Sequence, residues 1–470
     1  MTWRDALEVA QWFFLLYFIA LNLAYQALNA LAILELRKHL EARLLDLLPR
    51  AYTPYELPVS IVVPAYNEEA IIGTSVRSLL QLEYPEFEVI VVNDGSRDGT
   101  LEALRREFDL VTFPEAYRRR IQAKPVRGIY RSRRFPNLRV IDKENGGSKA
   151  DAVNAGVNGA RHPLFCVIDA DSVLERSSLR RVVAPFLHEP ETIASGGTIR
   201  IANGCEVRDG FMEAVRLPAR MLPLFQTMEY LRAFLFGRLG WMPLNAVPII
   251  SGAFGVFRTD AVVEAGGMRH DTIGEDMELV VRLHRLNRLG RRDYRIVFVP
   301  QPICWTEAPE SFDMLHNQRT RWQRGLGESL ALNRRLICHP RGGAPGWLSL
   351  PFMIAFEWLS PLVEIAGYLF MALGFAYGVV SAATFWTFML VAVAMGTLVS
   401  ASALYLEETA FHLYRRDGDL AKLAAVAVIE NLGYRQLVTL WRLQGLWQWA
   451  TGKRVPWGEM KRIASWQNKP

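Results

Sequence analysis

Several features that mark common protein classes are missing from this chain. Its four cysteines (Cys166, Cys205, Cys304 and Cys338) are scattered without C-x-x-C or zinc spacing. Neither a disulfide framework nor a zinc module is therefore predicted, and we expect free, packed thiols. The G-x-G-x-x-G and Walker A patterns are absent, which argues against glycine-rich phosphate loops. The net charge is only +6 over 470 residues, so no nucleic-acid partner is implied.

Charge is also missing from two long apolar runs. Residues 9–34 and 365–406 contain no charged side chain. One helix over the first run is long enough to cross a bilayer, and the second is too long for one helix, with Gly374, Gly378 and Ser381 offering a break. The first run is also too long for a signal peptide and lacks a cleavage pattern. We predict an integral membrane protein with a large aqueous block between its spans.

Basic residues orient the first span. Only Arg4 precedes it, whereas four basic residues follow it: Arg37, Lys38, Arg43 and Arg50. Basic residues are enriched on the cytoplasmic side of membranes. The N-terminus is therefore predicted to face outward, and the aqueous block to be cytoplasmic, held at the inner (cytoplasmic) membrane.

The aqueous block begins with a repeated strand-and-loop pattern. PVSIVVPAYNEEA (58–70), FEVIVVNDGSRDGT (87–100) and LFCVIDADSVL (164–174) each join a Val/Ile-rich run to polar residues. Such runs are typical of buried parallel strands, and ligands bind beyond the carboxyl ends of these strands. An α/β domain is therefore predicted, with one sheet edge carrying Tyr66, Asn67, Glu68, Asp94, Gly95, Ser96, Asp169 and Asp171.

Two segments indicate how phosphates can be held. Asp169 and Asp171, one residue apart at a strand end, can share a hard divalent cation that bridges a diphosphate. A solvated turn is the alternative reading of this pair. In GGSKADAVNAG (146–156), Lys149 begins a predicted helix whose N-terminus favours anions, and an ordinary glycine-rich helix entry is the alternative.

Two further segments offer a base and a cationic surface. Glu275 and Asp276 begin a predicted helix in GEDMELVVRLHR (274–285). Acidic residues there are either partners of the helix dipole or a carboxylate placed to deprotonate a hydroxyl. HNQRTRWQRG (316–325) places Trp322 among three guanidinium groups, those of Arg319, Arg321 and Arg324.

The motifs PAYNEE, NDGS, GGSKADAVNAG, DAD, SGAFG, GED and QRTRW follow one another in this order. This ordered set resembles the family 2 inverting glycosyltransferases of the membrane-embedded, often processive kind, among them cellulose, hyaluronan and poly-N-acetylglucosamine synthases. The resemblance is close over residues 1–340 and looser beyond them. It implies an α/β GT-A-type domain for nucleotide-diphospho-sugar transfer, combined with transmembrane and interfacial helices.

The resemblance also implies a role for each matching residue. Asp276 would be the general base, and Asp169 and Asp171 would bind Mg²⁺ or Mn²⁺. The UDP moiety would contact Tyr66, Glu68, Asp94, Lys149, Asp151, Gln318 and Arg321. The acceptor sugar would contact Trp322, Ser251, Gly252 and Glu275. No covalent enzyme nucleophile is required, so the anomeric configuration should invert.

The expected activity is transfer of glucose or N-acetylglucosamine from a UDP-sugar donor to a growing polysaccharide, coupled to its translocation through the lipid bilayer. A single-addition enzyme that glycosylates a lipid acceptor is the alternative, and the intact carboxylates argue against a non-enzymatic scaffold. Three expected spans leave only a narrow path for a polymer. An accessory subunit or a homo-oligomer is therefore an expected partner.

Five regions are predicted along the chain. They are an N-terminal transmembrane helix and linker (1–50), a cytoplasmic catalytic domain (51–308) with an amphipathic interface helix at about 212–240, the Gln-x-x-Arg-Trp interface helix (309–345), two transmembrane helices (346–410), and an amphipathic C-terminal helix with a basic tail (411–470).

Three features allow two interpretations each. The basic stretch 116–139 is interpreted as a solvated insertion, with binding to anionic lipid headgroups as the alternative. Glu357 and Glu364 either line a sugar path or pair with a basic residue of a neighbouring helix. Residues 420–449 are expected at the membrane interface, because spanning would put the basic tail outside. Their predicted polar face consists of Asn431, Arg435, Thr439 and Arg442.

Overall fold

The computed structural model describes residues 3–46, 56–208 and 210–453. The strands are β1 (Val59–Ala65), β2 (Phe87–Asn93), β3 (Leu110–Thr112), β4 (Val126–Ser132), β5 (Leu138–Lys143), β6 (Leu164–Ile168), β7 (Val173–Leu174), β8 (Thr192–Ile201), β9 (Glu206–Arg208), β10 (Phe211–Ala214), β11 (Phe254–Arg258) and β12 (Arg295–Thr306).

The α-helices of the same residues are α1 (Trp3–Asp46), α2 (Ile72–Leu79), α3 (Thr100–Phe108), α4 (Lys149–Gly159), α5 (Ser178–His188), α6 (Met221–Leu231), α7 (Thr259–Glu264), α8 (Glu275–Gly290), α9 (Phe312–Leu332), α10 (Leu350–Phe352), α11 (Ser360–Ala376), α12 (Ala382–Ala410), α13 (Asp419–Ile429) and α14 (Tyr434–Ala450). Arg232–Phe236, Pro345–Ser349 and Met353–Trp358 are π-helical, and Leu239–Leu244 is a 3₁₀ helix.

The strands form one mixed sheet in the order β3-β4-β5-β2-β1-β6-β11-β8-β12-β7-β10-β9. β1 is parallel to both β2 and β6, with Val62 opposite Ile90 and Val167. These Val/Ile-rich strands are almost completely buried, as expected for parallel strands covered on both faces. The predicted α/β class is confirmed, and the polar residues after β1, β2 and β6 lie at the same sheet edge.

The basic stretch 116–139 is partly built into the sheet. β4 occupies 126–132 and pairs antiparallel with β5, which itself lies beside β2. Arg139 is only 3% exposed and forms an ion pair with Glu88, with 2.6 Å between Nη2 and Oε2. The interpretation of 116–139 as a solvated insertion therefore holds for the exposed arginines 118–120 but not for β4 and Arg139.

The predicted interface helix at about 212–240 is shorter than expected. β10 includes residues 212–214, and the α-helix begins only at Met221. Pro218 lies between them, and proline disfavours helical backbone in the residue before it. The helix then passes into the π-helical turn 232–236, which ends at Gly237, whose N–H donates to Arg232 O at 3.0 Å.

Two helical segments of the described residues, Leu7–His39 and Ala382–Ala410, are long and apolar enough to cross a membrane, and a helix pair, Pro345–Trp358 with Ser360–Ala376, passes the same test with a 43° bend. The predicted break between α11 and α12 is present: Gly378 has a φ of 71°, and the Ser381 hydroxyl accepts from Thr384 N at the start of α12. The linker residue Arg50 and the basic tail residues Arg454, Lys461 and Arg462 lie outside the described residues.

The predicted C-terminal helix over 420–449 is two helices, α13 and α14. Gly433 separates them with a φ of 111°, a conformation that an α-helix does not contain. The predicted polar face of α14 meets the acidic residues of the bent span. Arg442 Nη2 lies 3.0 Å from Glu357 Oε2, and Thr439 Oγ1 donates to Glu364 Oε2 at 3.2 Å. Of the two interpretations of Glu357, pairing with a neighbouring helix is the one observed.

Two buried ion pairs join the sheet domain to the C-terminal helices. Arg200 of β8 pairs with Glu407 of α12, and both side chains are 1% exposed. Arg232 pairs with Glu430, which follows α13. Loss of either partner would leave a buried charge unpaired, which typically destabilises by about 3–5 kcal/mol. The sheet domain is thus bound to the apolar helices through two charged contacts.

Candidate functional site

The loops after β1 and β2 are bound to each other. Asn67 has a positive φ of 56°, and its side-chain oxygen accepts from Arg97 N at 2.8 Å, while its own N–H donates to Ser96 Oγ at 3.1 Å. Asparagine tolerates this left-handed conformation better than most residues. The ring of Tyr66 is 42% exposed at this edge, and Glu68 follows in the same turn. The loop therefore presents an exposed aromatic ring beside a carboxylate.

Asp94 and Asp151 are buried around one lysine that the sequence did not single out. Lys143, at the end of β5, is completely buried and binds Asp94, and its Nζ lies 2.6 Å from Asp151 Oδ2. Gly146 N donates to Asp94 Oδ1 at 3.0 Å, and Lys124 N donates to Asp151. Asp94 and Asp151 thus anchor the glycine-rich loop 146–147 through Lys143. The only sequence signal for Lys143 was a charge that follows shortly after the apolar residues Val140 and Ile141.

Lys149 brings two separate motifs together. It begins α4, where Ser148 caps the helix, and its ammonium binds the Asp169 carboxylate and donates to Gly252 O at 2.6 Å. Burial alone would lower the pKa of Lys149, but the negative charges of Asp169, Glu275 and Asp276 raise it above its ordinary value. Lys149 is therefore a positive charge held between Asp169 and Gly252.

Asp169 and Asp171 are the residues suited to a divalent cation. Among residues 3–46, 56–208 and 210–453 no group of three His, Cys, Asp or Glu side chains has the arrangement of a metal site. Mg²⁺, however, is commonly bound by only one or two carboxylates, with substrate phosphates and water as its other ligands. The carboxylates of Asp169 and Asp171, which follow β6, fit that pattern. The ammonium of Lys149 already neutralises the charge of Asp169.

Asp276 also contacts Gly252. Gly252 N donates to Asp276 Oδ2 at 2.9 Å, and a Cβ added at Gly252 would lie 3.4 Å from both Asp276 Oδ2 and Lys149 Nζ. The absence of a side chain at Gly252 thus leaves room between a carboxylate and an ammonium. Ser251 precedes it, and its hydroxyl accepts from Ala253 N at 3.4 Å.

The charged residues around Gly252 also shift the pKa of Glu275. Burial and the charge of Asp276 raise the pKa of Glu275 to about 7, while Lys149 and Arg321 act in the opposite direction. Arg321 belongs to α9, so its effect on Glu275 connects the Gln-x-x-Arg-Trp segment to the charged residues around Gly252. Four predicted site residues, Lys149, Glu275, Asp276 and Arg321, thus form one electrostatic group.

The N-terminus of α8 and the middle of α9 touch through two glycines. A Cβ added at Gly325 would lie 2.9 Å from Gly274 N, and one added at Gly274 would lie 2.9 Å from Gly325 O. Residues four and seven positions apart share a helix face. Arg321 and Gln318 are therefore on the face that contains Gly325. The Gln318 Oε1 atom is buried and has no hydrogen-bond partner among the described residues.

A cationic surface was predicted for residues 316–325, but Arg319 and Arg324 each pair with a glutamate of this chain. Arg319 is buried, pairs with Glu229, and places its guanidinium carbon 4.5 Å from the centroid of the Trp322 ring. Arg324 pairs with Glu328 at 2.9 Å. Trp322 keeps 46% of its surface exposed. Only Arg321 of the three arginines thus shares the face of Gly325.

Glu328 is a further residue that the sequence did not identify. One of its carboxylate oxygens accepts from Thr272 Oγ1 at 2.9 Å and from Ile273 N at 2.8 Å. These donors immediately precede Gly274, so Glu328 fixes the loop that leads into Glu275 and Asp276. Its position ten residues after Gln318 carries no recognisable pattern, because the contact is made only when α9 packs against α8.

Comparison with known protein families gives two matches. Residues 60–261 match Glycosyl transferase family 2. Residues 164–400, half of the chain, match Glycosyl transferase family group 2. The second match includes Asp169 after β6, Asp276 in α8 and Arg321 in α9.

Curated relatives match a smaller part of the chain. Poly-beta-1,6-N-acetyl-D-glucosamine synthase from Staphylococcus epidermidis is 28% identical over 272 residues, which are 58% of this chain and 55% of that protein. The protein of the same name from Staphylococcus aureus (strain COL) is 28% identical over 274 residues, with the same coverage. The chain therefore spans about half the length of the curated relatives it matches.

A solved structure shares the fold over most of the chain. The mannosyltransferase PcManGT from Pyrobaculum calidifontis, determined in complex with GDP-Man and Mn²⁺, superimposes with a TM-score of 0.51 at 20% identity. The match covers 87% of this chain and 99% of that protein. At this level of identity the likeness concerns the fold alone.

Proposed function

This chain belongs to Glycosyl transferase family group 2, and we propose that it is a membrane-embedded, inverting enzyme that adds sugars from a UDP-sugar to a growing polysaccharide. The observation that carries the proposal is the group of charged residues around Gly252. There the Lys149 ammonium binds the Asp169 carboxylate and donates to Gly252 O. Gly252 N donates to the carboxylate of Asp276, and the charge of Arg321 from α9 acts on the neighbouring Glu275. This set can hold a diphosphate on one side and deprotonate a hydroxyl on the other.

On the donor side, the exposed ring of Tyr66 and the carboxylate of Glu68 are proposed to bind uridine. Asp94 and Asp151 were predicted to contact the UDP moiety, but both carboxylates bind the buried Lys143. Their proposed contribution is therefore to hold the loop that leads to Lys149. The diphosphate is assigned to Lys149, Gln318 and Arg321, since a guanidinium fork matches phosphate oxygens. Mg²⁺ or Mn²⁺ would be held by Asp169 and Asp171 and would supply Lewis-acid stabilisation of the departing diphosphate.

On the acceptor side, Asp276 is proposed as the general base. Its Oδ2 atom is held by Gly252 N, so the carboxylate is oriented beside the space left by that glycine. Removal of a proton from the acceptor hydroxyl at this point allows direct attack on the anomeric carbon, and the diphosphate leaves on the side of Lys149. A single displacement inverts the configuration. Ser251, Gly252, Glu275 and the exposed ring of Trp322 are assigned to the acceptor sugar.

The proposed donor is UDP-N-acetylglucosamine, with UDP-glucose as the competing possibility. The relatives of this chain are named as synthases of a poly-N-acetylglucosamine, which favours the amino sugar. A purified-enzyme screen should therefore release UDP fastest from UDP-N-acetylglucosamine in the presence of Mg²⁺ or Mn²⁺. Absence of UDP release from every UDP-sugar would contradict the proposed function.

The catalytic domain is proposed to lie on the cytoplasmic side of the inner membrane. The apolar helices α1 and α12 support membrane insertion, and Arg37 and Lys38 at the inner end of the first span support the orientation. An accessory subunit or a second copy of the chain is proposed to complete the path through which the polymer leaves.

Gly325→Ala is expected to lower turnover by roughly tenfold to a hundredfold, because misplacement of a catalytic group by about 1 Å has effects of that size. The added methyl group would press on the backbone of Gly274 and push the loop before Asp276 away from α9. UDP release by the purified variant measures this effect.

Gly290→Ala is the matched control, since it also adds one methyl group to a helical glycine. There the nearest atom is Arg292 Nε at 3.7 Å, an ordinary contact. Equal turnover of the two variants would show that the contact between α8 and α9 does not position the base.

A further inference from the structure

Glu328 of α9 binds with both of its carboxylate oxygens. Oε1 accepts from Arg324 Nε at 2.9 Å, while Oε2 accepts from Thr272 Oγ1 at 2.9 Å and from Ile273 N at 2.8 Å. The Glu328 side chain is only 17% exposed. Hydrogen bonds to an ionised acceptor are stronger than those between neutral groups. Glu328 is thus held by its own helix on one side and holds the loop before α8 on the other.

Thr272 extends this contact towards the proposed base. Its hydroxyl donates to Glu328 and accepts from Gly274 N at 3.2 Å. A hydroxyl has a single hydrogen, so donation to Glu328 turns its lone pairs towards the Gly274 N–H. Gly274 directly precedes Glu275 and Asp276, the first two residues of α8. Glu328 therefore determines, through Thr272, the backbone position from which Asp276 projects.

The α9 end of this network is itself fixed. Arg324 donates from Nε to Glu328 and from Nη1 to Lys453 O at 2.8 Å, just beyond the end of α14. The next residue of α9, Ser329, donates its hydroxyl to Gly274 O at 3.2 Å. Consecutive side chains of α9 thus bind the loop before α8.

We propose that Glu328 is a positioning residue: it holds the loop 272–274 so that the Asp276 carboxylate is aimed at the acceptor hydroxyl. This proposal rests on the proposed function, in which Asp276 is the general base. A base is effective only within hydrogen-bond reach of the proton that it removes. Because α9 also carries Gln318 and Arg321, Glu328 fixes the base relative to the helix that is assigned to the leaving diphosphate.

Glu328→Ala should lower kcat by roughly tenfold to a hundredfold, the effect of misplacing a catalytic group by about 1 Å. UDP affinity, measured by calorimetry, and the acceptor KM should be nearly unchanged. Glu328→Gln keeps an oxygen that can accept from Thr272 and Ile273, so it should recover most of the rate. A loss as large as that of Glu328→Ala would overturn the role assigned to this oxygen.

Thr272→Val should act in the same direction as Glu328→Ala, since valine has a similar shape to threonine but no hydroxyl. Thr272→Ser keeps the hydroxyl and should turn over close to the wild-type rate. Equal rates for the valine and serine variants would contradict the proposed path from Glu328 to Gly274.

The decisive measurement combines Glu328→Ala with Asp276→Asn. If Glu328 acts through Asp276, the double variant should be no slower than Asp276→Asn alone, because no base is left to position. A merely structural role would lower the rate by the same factor in both backgrounds. The slow transfer of labelled sugar by Asp276→Asn and by the double variant is followed over long incubations.

Glu264→Ala is the matched control, since it also removes a glutamate paired with an arginine. Its partner is Arg292 at 2.6 Å, and both side chains are more than half exposed, so turnover should equal that of wild type. Wild-type turnover of Glu328→Ala, an equal loss of UDP binding, or a further loss in the double variant would overturn the proposal. Failure of wild type to release UDP from any UDP-sugar would instead contradict the proposed function.

Discussion

Asp276→Asn is expected to lower turnover by a factor on the order of 10² or more, the usual contribution of a general base, with UDP affinity nearly unchanged. Asparagine is close to isosteric with aspartate, and its side-chain oxygen can still accept from Gly252 N. The loop should therefore keep its conformation while losing the group that takes the proton. UDP release and UDP binding by the purified variant, measured side by side, separate the two effects.

Glu275→Gln is the matched control for this experiment. It removes the adjacent carboxylate, which also lies near Lys149 and Arg321, but it leaves the bond between Asp276 and Gly252 in place. Its effect on turnover should be smaller than that of Asp276→Asn. Near-normal turnover of Asp276→Asn, or loss of UDP binding together with turnover, would mean that Asp276 is not the base.

Asp169→Asn and Asp171→Asn should each reduce metal-dependent turnover by about 10²-fold or more, because Lewis-acid stabilisation of a leaving diphosphate contributes several kcal/mol and each 1.36 kcal/mol is tenfold in rate. In Asp169→Asn, Lys149 can still donate to the side-chain oxygen at position 169, so the fold around α4 should persist. Turnover measured across a titration of Mg²⁺ and Mn²⁺ reports the loss.

The control is Asp260→Asn, which removes an exposed aspartate in the first turn of α7 that belongs to none of the site motifs. A chelator should abolish wild-type turnover, and either cation should restore it. Turnover that survives the chelator, or that survives either substitution in the Asp-x-Asp pair, would show that this enzyme does not need a metal at these residues.

Apolar strands and motif order were readable from the sequence because each follows from local chemistry. Runs such as SIVV and VIVV predict strands that are buried on both faces, even when the neighbouring strands are not known. The polar residues that follow them then lie at one sheet edge. β5 was not predicted, since LRVIDK contains Arg139, Asp142 and Lys143. Those charges are buried only because Glu88, Asn93 and Asp94, which belong to or directly follow β2, neutralise or bind them. A charge that is paired across the sheet looks the same in sequence as a solvated one.

The ends of helices and the contacts between helices also could not be predicted from the sequence. The apolar spacing of 212–240 continued through Pro218, and that of 420–449 through Gly433, although backbone conformation interrupts both. In α9, the three arginines could not be told apart by type. Their roles differ because Gly325 packs on Gly274 and so selects the face of Arg321, while Arg319 turns to Glu229. Such choices depend on tertiary packing, which no local pattern encodes.

The length of the product tests the account most directly. Purified full-length protein would be incubated in lipid vesicles with labelled UDP-N-acetylglucosamine and Mg²⁺, and the labelled products would be sized over time. We expect a ladder of saccharides that lengthens with incubation and that Asp276→Asn does not form. A single sugar attached to lipid as the sole product would contradict a polysaccharide synthase and would establish the glycolipid alternative.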